Sequence, residues 1–474
     1  MLFYSPEFLV FLPLVFILYW WVFSERASKL TFLLAASYVF YMSWSPKLIV
    51  LLLGSTLIDY FAVVWMQRTE DPWKRRALLG ASIVFNIGML STFKYANFFL
   101  HDVAGPLTGW VPPHLDIVLP LGISFYTFET LSYVVDCYYK KTKPFDTLRD
   151  YAVFISFFPH LIAGPIIRPR QFLPQLKELR TLTGADIHVG AAWFLMGLVK
   201  KLVIADRFSL YADPVFADPA AHGTLAAWAG VAAYAGQIYF DFSGYSDMAI
   251  GIARLFCFDL PLNFRTPYLS RNVAEFWKRW HISLSSWLRD YLYAPLRGLA
   301  EGEWANYMAV FMTMFLGGLW HGANWTFVAW GSFHGGLLMA HRFLNVELGR
   351  FWKPAAALVP LPVRDVLSRA LVFALACVGW VFFRAQDFGT AFEVLRRMFH
   401  YTAGAAPALA VPALLAVMFA YDVTAFRAES GDWDLEGTLL GLPSWTRVVL
   451  YAAALVVILV YTPMDARPFI YFQF

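Results

Sequence analysis

Apolar runs of bilayer-spanning length recur from one end of this chain to the other, and they set its class before any motif is read. A spanning helix needs about 20 mostly apolar residues. Runs of this kind occupy residues 8–23, 30–44, 48–65, 77–100 and 117–139, and more follow at 190–204, 225–257, 327–344, 370–383, 406–421 and 448–460. Only 15% of residues are charged, against roughly 25% in soluble domains. The expectation is an all-α polytopic membrane protein forming one integral-membrane domain over residues 1–474. The start, MLFYSPEFLVFLPLVFILYWW, has no basic segment and no small-residue cleavage site, and reads as a retained first helix.

Charge placement gives topology rather than a nucleic-acid partner. The loop RTEDPWKRR and the cluster at Lys140, Lys141 and Lys143 are basic, whereas HDVAGPLTGWVPPHLD between them contains no Lys or Arg. Basic loops stay cytoplasmic, which puts the N-terminus outside. Cys137, Cys257 and Cys377 sit in apolar contexts with neither metal spacing nor a disulfide pattern. No metal site and no bound cofactor are expected.

Two segments break the simple pattern. FISFFPHLIAGPIIRP, residues 154–169, is apolar yet carries Pro159, Gly164, Pro165 and Pro169, which no continuous helix tolerates. Irregular backbone at membrane depth survives only where protein or a water-filled cavity covers it, so a re-entrant segment is expected. YFDFSGYSDMAIGIARLF places Asp241 and Asp247 in a largely apolar helical region. Such carboxylates either tie neighbouring helices together or form a polar wall of a chamber.

The chemistry concentrates in residues 275–341. If 275–293 is one helix turning about 100° per residue, Trp277, Trp280, Leu284, Trp287, Leu288 and Tyr291 share one side. Lys278, Arg279, Arg289 and Asp290 share the other. That suits a helix lying in the membrane interface, with His281 at the border of the apolar stripe. His281 is then either an amphipathic interface residue or a group at a cavity mouth. His321 sits in WHGANW after an apolar run, flanked by Trp320 and Trp325. An intramembrane imidazole is costly to keep and reads as functional by default. Asn324 is placed to orient that ring or a substrate carbonyl. His334 and His341 lack a comparable motif and read as packing or interfacial residues.

A neutral imidazole in this setting suits acyl transfer to a hydroxyl. The attacking hydroxyl must lose a proton as it attacks, which a neutral imidazole accepts near physiological pH. An apolar surround disfavours imidazolium. The tetrahedral oxyanion needs hydrogen-bond donors, for which Asn324, Trp N–H groups and backbone amides are candidates. A dry chamber also limits hydrolysis of an activated thioester.

The segments FKYANF, LPLGISFYTFETLSYVVD, FFPHLIAGPIIR, YFDFSGYSDMAIGI, EFWKRWHISLSSWLRDYLY and GGLWHGANW occur in this order over most of the chain. Together they resemble the membrane-bound O-acyltransferase family, in its bacterial alginate O-acetyltransferase-like branch. The resemblance implies a many-helix bundle around a central tunnel, with His321 matching the family's essential histidine and His281 its second, upstream histidine. It implies acetyl-CoA as cytoplasmic donor, an extracytoplasmic polysaccharide as acceptor, a periplasmic acetyltransferase partner and residence in the bacterial inner membrane. The C-terminal third is less distinctive, which leaves alginate, cellulose, peptidoglycan and other polymers open. Related systems carry aromatic C-terminal motifs, so Tyr471 in PFIYFQF is either an interfacial anchor or an acyl relay. A transporter or flippase is the rival reading, since intramembrane Asp and His suit proton coupling. It would show paired repeats, and the sequence shows one broken segment without a counterpart.

Overall fold

The computed structural model describes residues 1–349, 359–404, 407–431, 434–462 and 469–470, and among these every regular element is helical. Among the described residues, six helices are long and apolar enough to cross a membrane: Pro46–Arg68, Pro72–Thr108, Gly184–Ala217, Leu361–Arg384, Ala410–Ala428 and Ser444–Tyr461. The chain is a multi-pass, all-α membrane protein, as its apolar runs imply. Local chemistry sets several helix starts. Ser5, Asp71 and Thr147 each accept a backbone N–H of the first turn, and Pro6 and Pro72 open their helices where a missing N–H costs nothing.

Contacts divide the chain into two units, residues 1–194 with 245–261, and residues 195–244 with 262–474. In the first unit Phe8, Phe11, Phe40 and Phe158 pack with centroids 5.4–6.4 Å apart. In the same unit Asp59 is fully buried and accepts bonds from Ser82 at 2.6 Å and from Asn86 at 3.0 Å. A buried carboxylate is tolerable only with such donors, so the helices Ile49–Arg68 and Pro72–Leu90 are tied by polar contacts as well as by packing.

The proline-rich stretch behaves as its residues dictate. Helix Leu148–Ser156 stops short of Pro159, and residues 157–168 are irregular yet buried throughout. Helix Ile123–Tyr138 supplies their partners. Glu129 Oε1 accepts the Ile167 N–H at 3.0 Å and lies 3.2 Å from His160 Nδ1. Gly122 opens that helix at φ +73°, and a Cβ there would lie 2.4 Å from the Leu161 carbonyl oxygen. Only glycine allows this approach.

In the second unit, helices Glu303–His321 and Trp325–Val346 are joined by a three-residue turn and run back along each other. Gly318 and Gly331 meet at the crossing. A Cβ on Gly318 would lie 2.3 Å from the Phe327 carbonyl oxygen, and one on Gly331 2.3 Å from that of Met314. Helix Leu361–Arg384 packs against Trp325–Val346. Helix Phe388–Phe399 buries Ala391, Val394 and Met398 and exposes Phe388, Phe392 and Phe399, the two-faced pattern of an interfacial helix.

One expectation fails. Residues 275–293 are not one continuous helix. The chain forms Val273–Arg279, breaks at Trp280 and His281, and resumes as Ile282–Leu288. His281 has φ +44°, left-handed backbone that a histidine adopts only under tertiary constraint. The constraint is the loop before it. Arg265 N–H donates to the Arg279 carbonyl at 2.9 Å, Ile282 N–H to the Asn263 carbonyl at 2.8 Å, and Ser283 Oγ to Asn263 Oδ1 at 2.6 Å. These bonds pull the chain out of the helix where the histidine sits.

Candidate active site

The break at residues 280–281 and the end of helix Glu303–His321 bring both histidines to the ring of one indole. Trp320 lies with its ring centroid 4.9 Å from His321 and 6.4 Å from His281. His321 is the last residue of its helix and is 5% exposed. Trp330 stands edge-on to it at 5.0 Å and Phe383 at 5.2 Å. The result is an imidazole packed against three aromatic rings.

His281 is fully buried rather than interfacial. Its Nδ1 accepts the Leu284 N–H at 3.3 Å, and Phe242 packs edge-on at 4.6 Å. Burial pushes its imidazole down to about 3, so the ring is neutral at neutral pH. With Nδ1 accepting, the neutral tautomer carries its proton on Nε2, which has no partner among the described residues. That N–H is free to donate to a ligand atom. The left-handed backbone gives a clean test of its role. Asparagine tolerates this conformation and a β-branched residue does not. His281→Asn is expected to keep normal protein levels and lose activity, whereas His281→Val should lose about 1–3 kcal/mol of stability, read as thermal unfolding in detergent. Full activity in His281→Asn removes His281 from the site.

The other candidates are distributed differently. Asn324 caps helix Trp325–Val346, accepting the Thr326 N–H at 2.9 Å and donating to the Gln386 carbonyl at 2.9 Å. Its amide therefore holds the turn after His321. Trp325 is 43% exposed, and Trp330, one and a half turns on, is the indole that packs on His321. Asp241 belongs to the second unit and forms an ion pair with Lys201 at 2.8 Å. Asp247 is buried in the first unit. Tyr471 lies outside the described residues.

Two contributors escape a reading of the sequence. Phe242 and Phe383 come from helices distant in the chain, and a Phe in an apolar run carries no signal of its own. His334 is 2% exposed and stands between Trp277 and Trp330, each 5.1 Å away, with neither ring nitrogen bonded among the described residues. Its spacing from Trp330, one helical turn, was the available clue. No group of His, Cys, Asp and Glu among the described residues could hold a metal ion.

Comparison with known proteins decides what this cluster belongs to. A sequence model described as the membrane-bound O-acyltransferase family matches residues 147–352, a span that contains both histidines and the broken segment. A probable alginate O-acetylase of Pseudomonas putida is 38% identical over an alignment covering 100% of both chains. The chain belongs to the membrane-bound O-acyltransferase family. This O-acyltransferase is also 35% identical to a peptidoglycan O-acetyltransferase of Helicobacter pylori, over 84% of the chain and 80% of that protein. A teichoic acid D-alanyltransferase of Bacillus subtilis is 29% identical over 58% of the chain and 71% of its own length. These relatives are named for different acyl groups and polymers, and the shared activity is acyl transfer to a polymer by a membrane enzyme.

Proposed function

We propose that this O-acyltransferase takes an acetyl group from acetyl-CoA at the cytoplasmic face of the bacterial inner membrane and passes it toward hydroxyls of an extracytoplasmic polysaccharide, alginate or one like it. The observation that carries the reading is that His281 and His321 are both buried and both lie against the Trp320 ring. The resemblance to alginate O-acetylases over the whole chain supports acetyl as the group. A periplasmic acetyltransferase is the proposed partner at the outer face, as the family resemblance implies.

In the proposed step, His321 takes the proton of the attacking hydroxyl as its oxygen bonds to the acetyl carbon. The thioester C–S bond then breaks, and the proton passes from the imidazole to the departing sulfur, leaving ester and thiol. The developing oxyanion needs a donor that is not already engaged. The Trp330 indole N–H, buried and without an acceptor among the described residues, is one, and His281 Nε2–H is another. Asn324 is not available without giving up its bond to Gln386.

Reconstitution tests the reading. Purified protein in liposomes, supplied with radiolabelled acetyl-CoA on one side and alginate with a periplasmic acetyltransferase on the other, is expected to release free CoA and to label the polymer. No acceptor-dependent CoA release overturns the donor assignment. Movement of polymer without acetylation would favour a flippase.

A further inference from the structure

Asp241 holds more than its ion pair. It is 2% exposed on helix Thr224–Leu255. Its Oδ1 lies 2.8 Å from Lys201 Nζ, and Lys201 also reaches Asp206 Oδ1 at 3.0 Å. Its other oxygen, Oδ2, accepts the main-chain N–H of Ile470 at 2.7 Å, across 229 residues of chain. Phe469 and Ile470 are 0% and 1% exposed. The Phe469 ring lies 6.0 Å from Phe242, which in turn packs edge-on to His281 at 4.6 Å. Every residue in this chain of contacts belongs to the second unit.

The chemistry of the arrangement is specific. Lys201 and Asp206 already form a neutral pair, so Asp241 adds a second buried carboxylate. Such a group is costly unless its lone pairs are filled. Lys201 fills one oxygen and a backbone N–H fills the other, and a bond from an N–H to an ionised carboxylate is about twice as strong as a neutral one. The neighbouring residue on the same helix, Phe242, meets the neighbouring residue of the segment, Phe469. One helix position thus holds the main chain of the segment while the next holds its ring, and that second contact continues to a histidine of the site.

We propose that Asp241 latches the segment Phe469–Ile470 and that the seated segment, through Phe242, holds the His281 ring in place. Asp241 and Phe469 are then positioning residues for acyl transfer. The positioning role rests on the reading that His281 and His321 carry the reaction, whereas the latch stands apart from it.

The test uses the full chain in native membranes with Ile470→Cys introduced and its reactivity toward a maleimide measured. Cys137, Cys257 and Cys377 are all buried, and the unsubstituted chain gives their background. Labelling of Ile470→Cys alone should be slow. Adding Asp241→Leu removes the acceptor and leaves Lys201 with Asp206, and the rate is expected to rise about tenfold or more, as for a locally opened segment. Phe469→Ala, which leaves the ionic groups untouched, should raise it as well and guards against a folding defect in the first variant. In the chain without the cysteine, both substitutions should lower kcat and leave KM for the donor unchanged. Equal labelling with and without the substitutions overturns the latch. Faster labelling with unchanged kcat overturns the positioning role. Full activity in His321→Ala, with labelling as expected, supports the latch and removes the catalytic reading instead.

Discussion

Replacing His321 with alanine is expected to lower acyl transfer by about 10²–10⁴-fold, the usual contribution of a positioned general base. The variant also removes a ring from a packed cluster, since His321 touches Trp320, Trp330 and Phe383. Loss of activity in His321→Ala alone would therefore mix chemistry with packing. His321→Phe separates the two. Phenylalanine keeps an aromatic ring against the three neighbours and removes both nitrogens, so the protein should reach the membrane at its usual level and melt near the parental temperature. Its acetyl-transfer rate should match that of the alanine variant. A phenylalanine variant with near-parental turnover would remove His321 from the chemistry. A variant that is inactive and also absent from the membrane would assign the residue to folding. The readouts are polymer acetylation and immunodetection of the protein in membrane fractions.

The second large effect is expected at the helix crossing that carries this histidine. Gly331→Ala adds a methyl group that would lie 2.3 Å from the Met314 carbonyl oxygen and 2.9 Å from the Gly318 Cα. Both are backbone atoms, so no side-chain rotation relieves the contact and the two helices must part. Overpacking of this kind costs about 3 kcal/mol, the upper end of its usual range. Association of helices in lipid depends on such close packing, because lipid offers no hydrophobic drive for their contact. Separating helices Glu303–His321 and Trp325–Val346 also shifts His321 at the end of one against Trp330 on the other. The expected result is a fall in melting temperature in detergent together with loss of turnover. Gly336→Ala is the control, since nothing lies within 4 Å of a Cβ there. It should behave as the parent. Equal melting temperatures for the two variants would show that the crossing yields easily and would refute the packing argument.

Much of the architecture was legible because membrane chains declare themselves. Backbone groups in lipid must be satisfied within the segment, so long apolar runs translate directly into helices, and Pro159 and Pro165 translate directly into a break. WHGANW drew attention to His321 because aromatic and polar residues in an apolar run have few bland explanations. The failure at residues 275–293 has an equally clear cause. The local pattern of Trp277, Trp280, Leu284 and Trp287 fits a helix, and nothing nearby in sequence forbids one. The helix is broken by hydrogen bonds that Asn263 accepts and one that Arg265 donates, and that tertiary bonding outweighs local propensity. Trp325 illustrates the same limit in a different way. It adjoins the motif, but a helix of 3.6 residues per turn carries it outward and brings Trp330 onto the imidazole instead.

By itself the sequence determined that this protein is a helical, multi-pass membrane protein and that His321 is the group to suspect, since both follow from what a bilayer permits residue by residue, whereas the enzymatic reading came from the resemblance of its motifs to a known family. Only the tertiary structure decided which rings enclose that histidine, that His281 also lies against Trp320, and that Asp241 grips a segment from the far end of the chain. Apart from those to the nearby Trp320 and Trp330 on His321 itself, these contacts join residues from 39 to 229 positions apart. They depend on how helices cross and where loops bond, and periodicity along the chain carries no record of either.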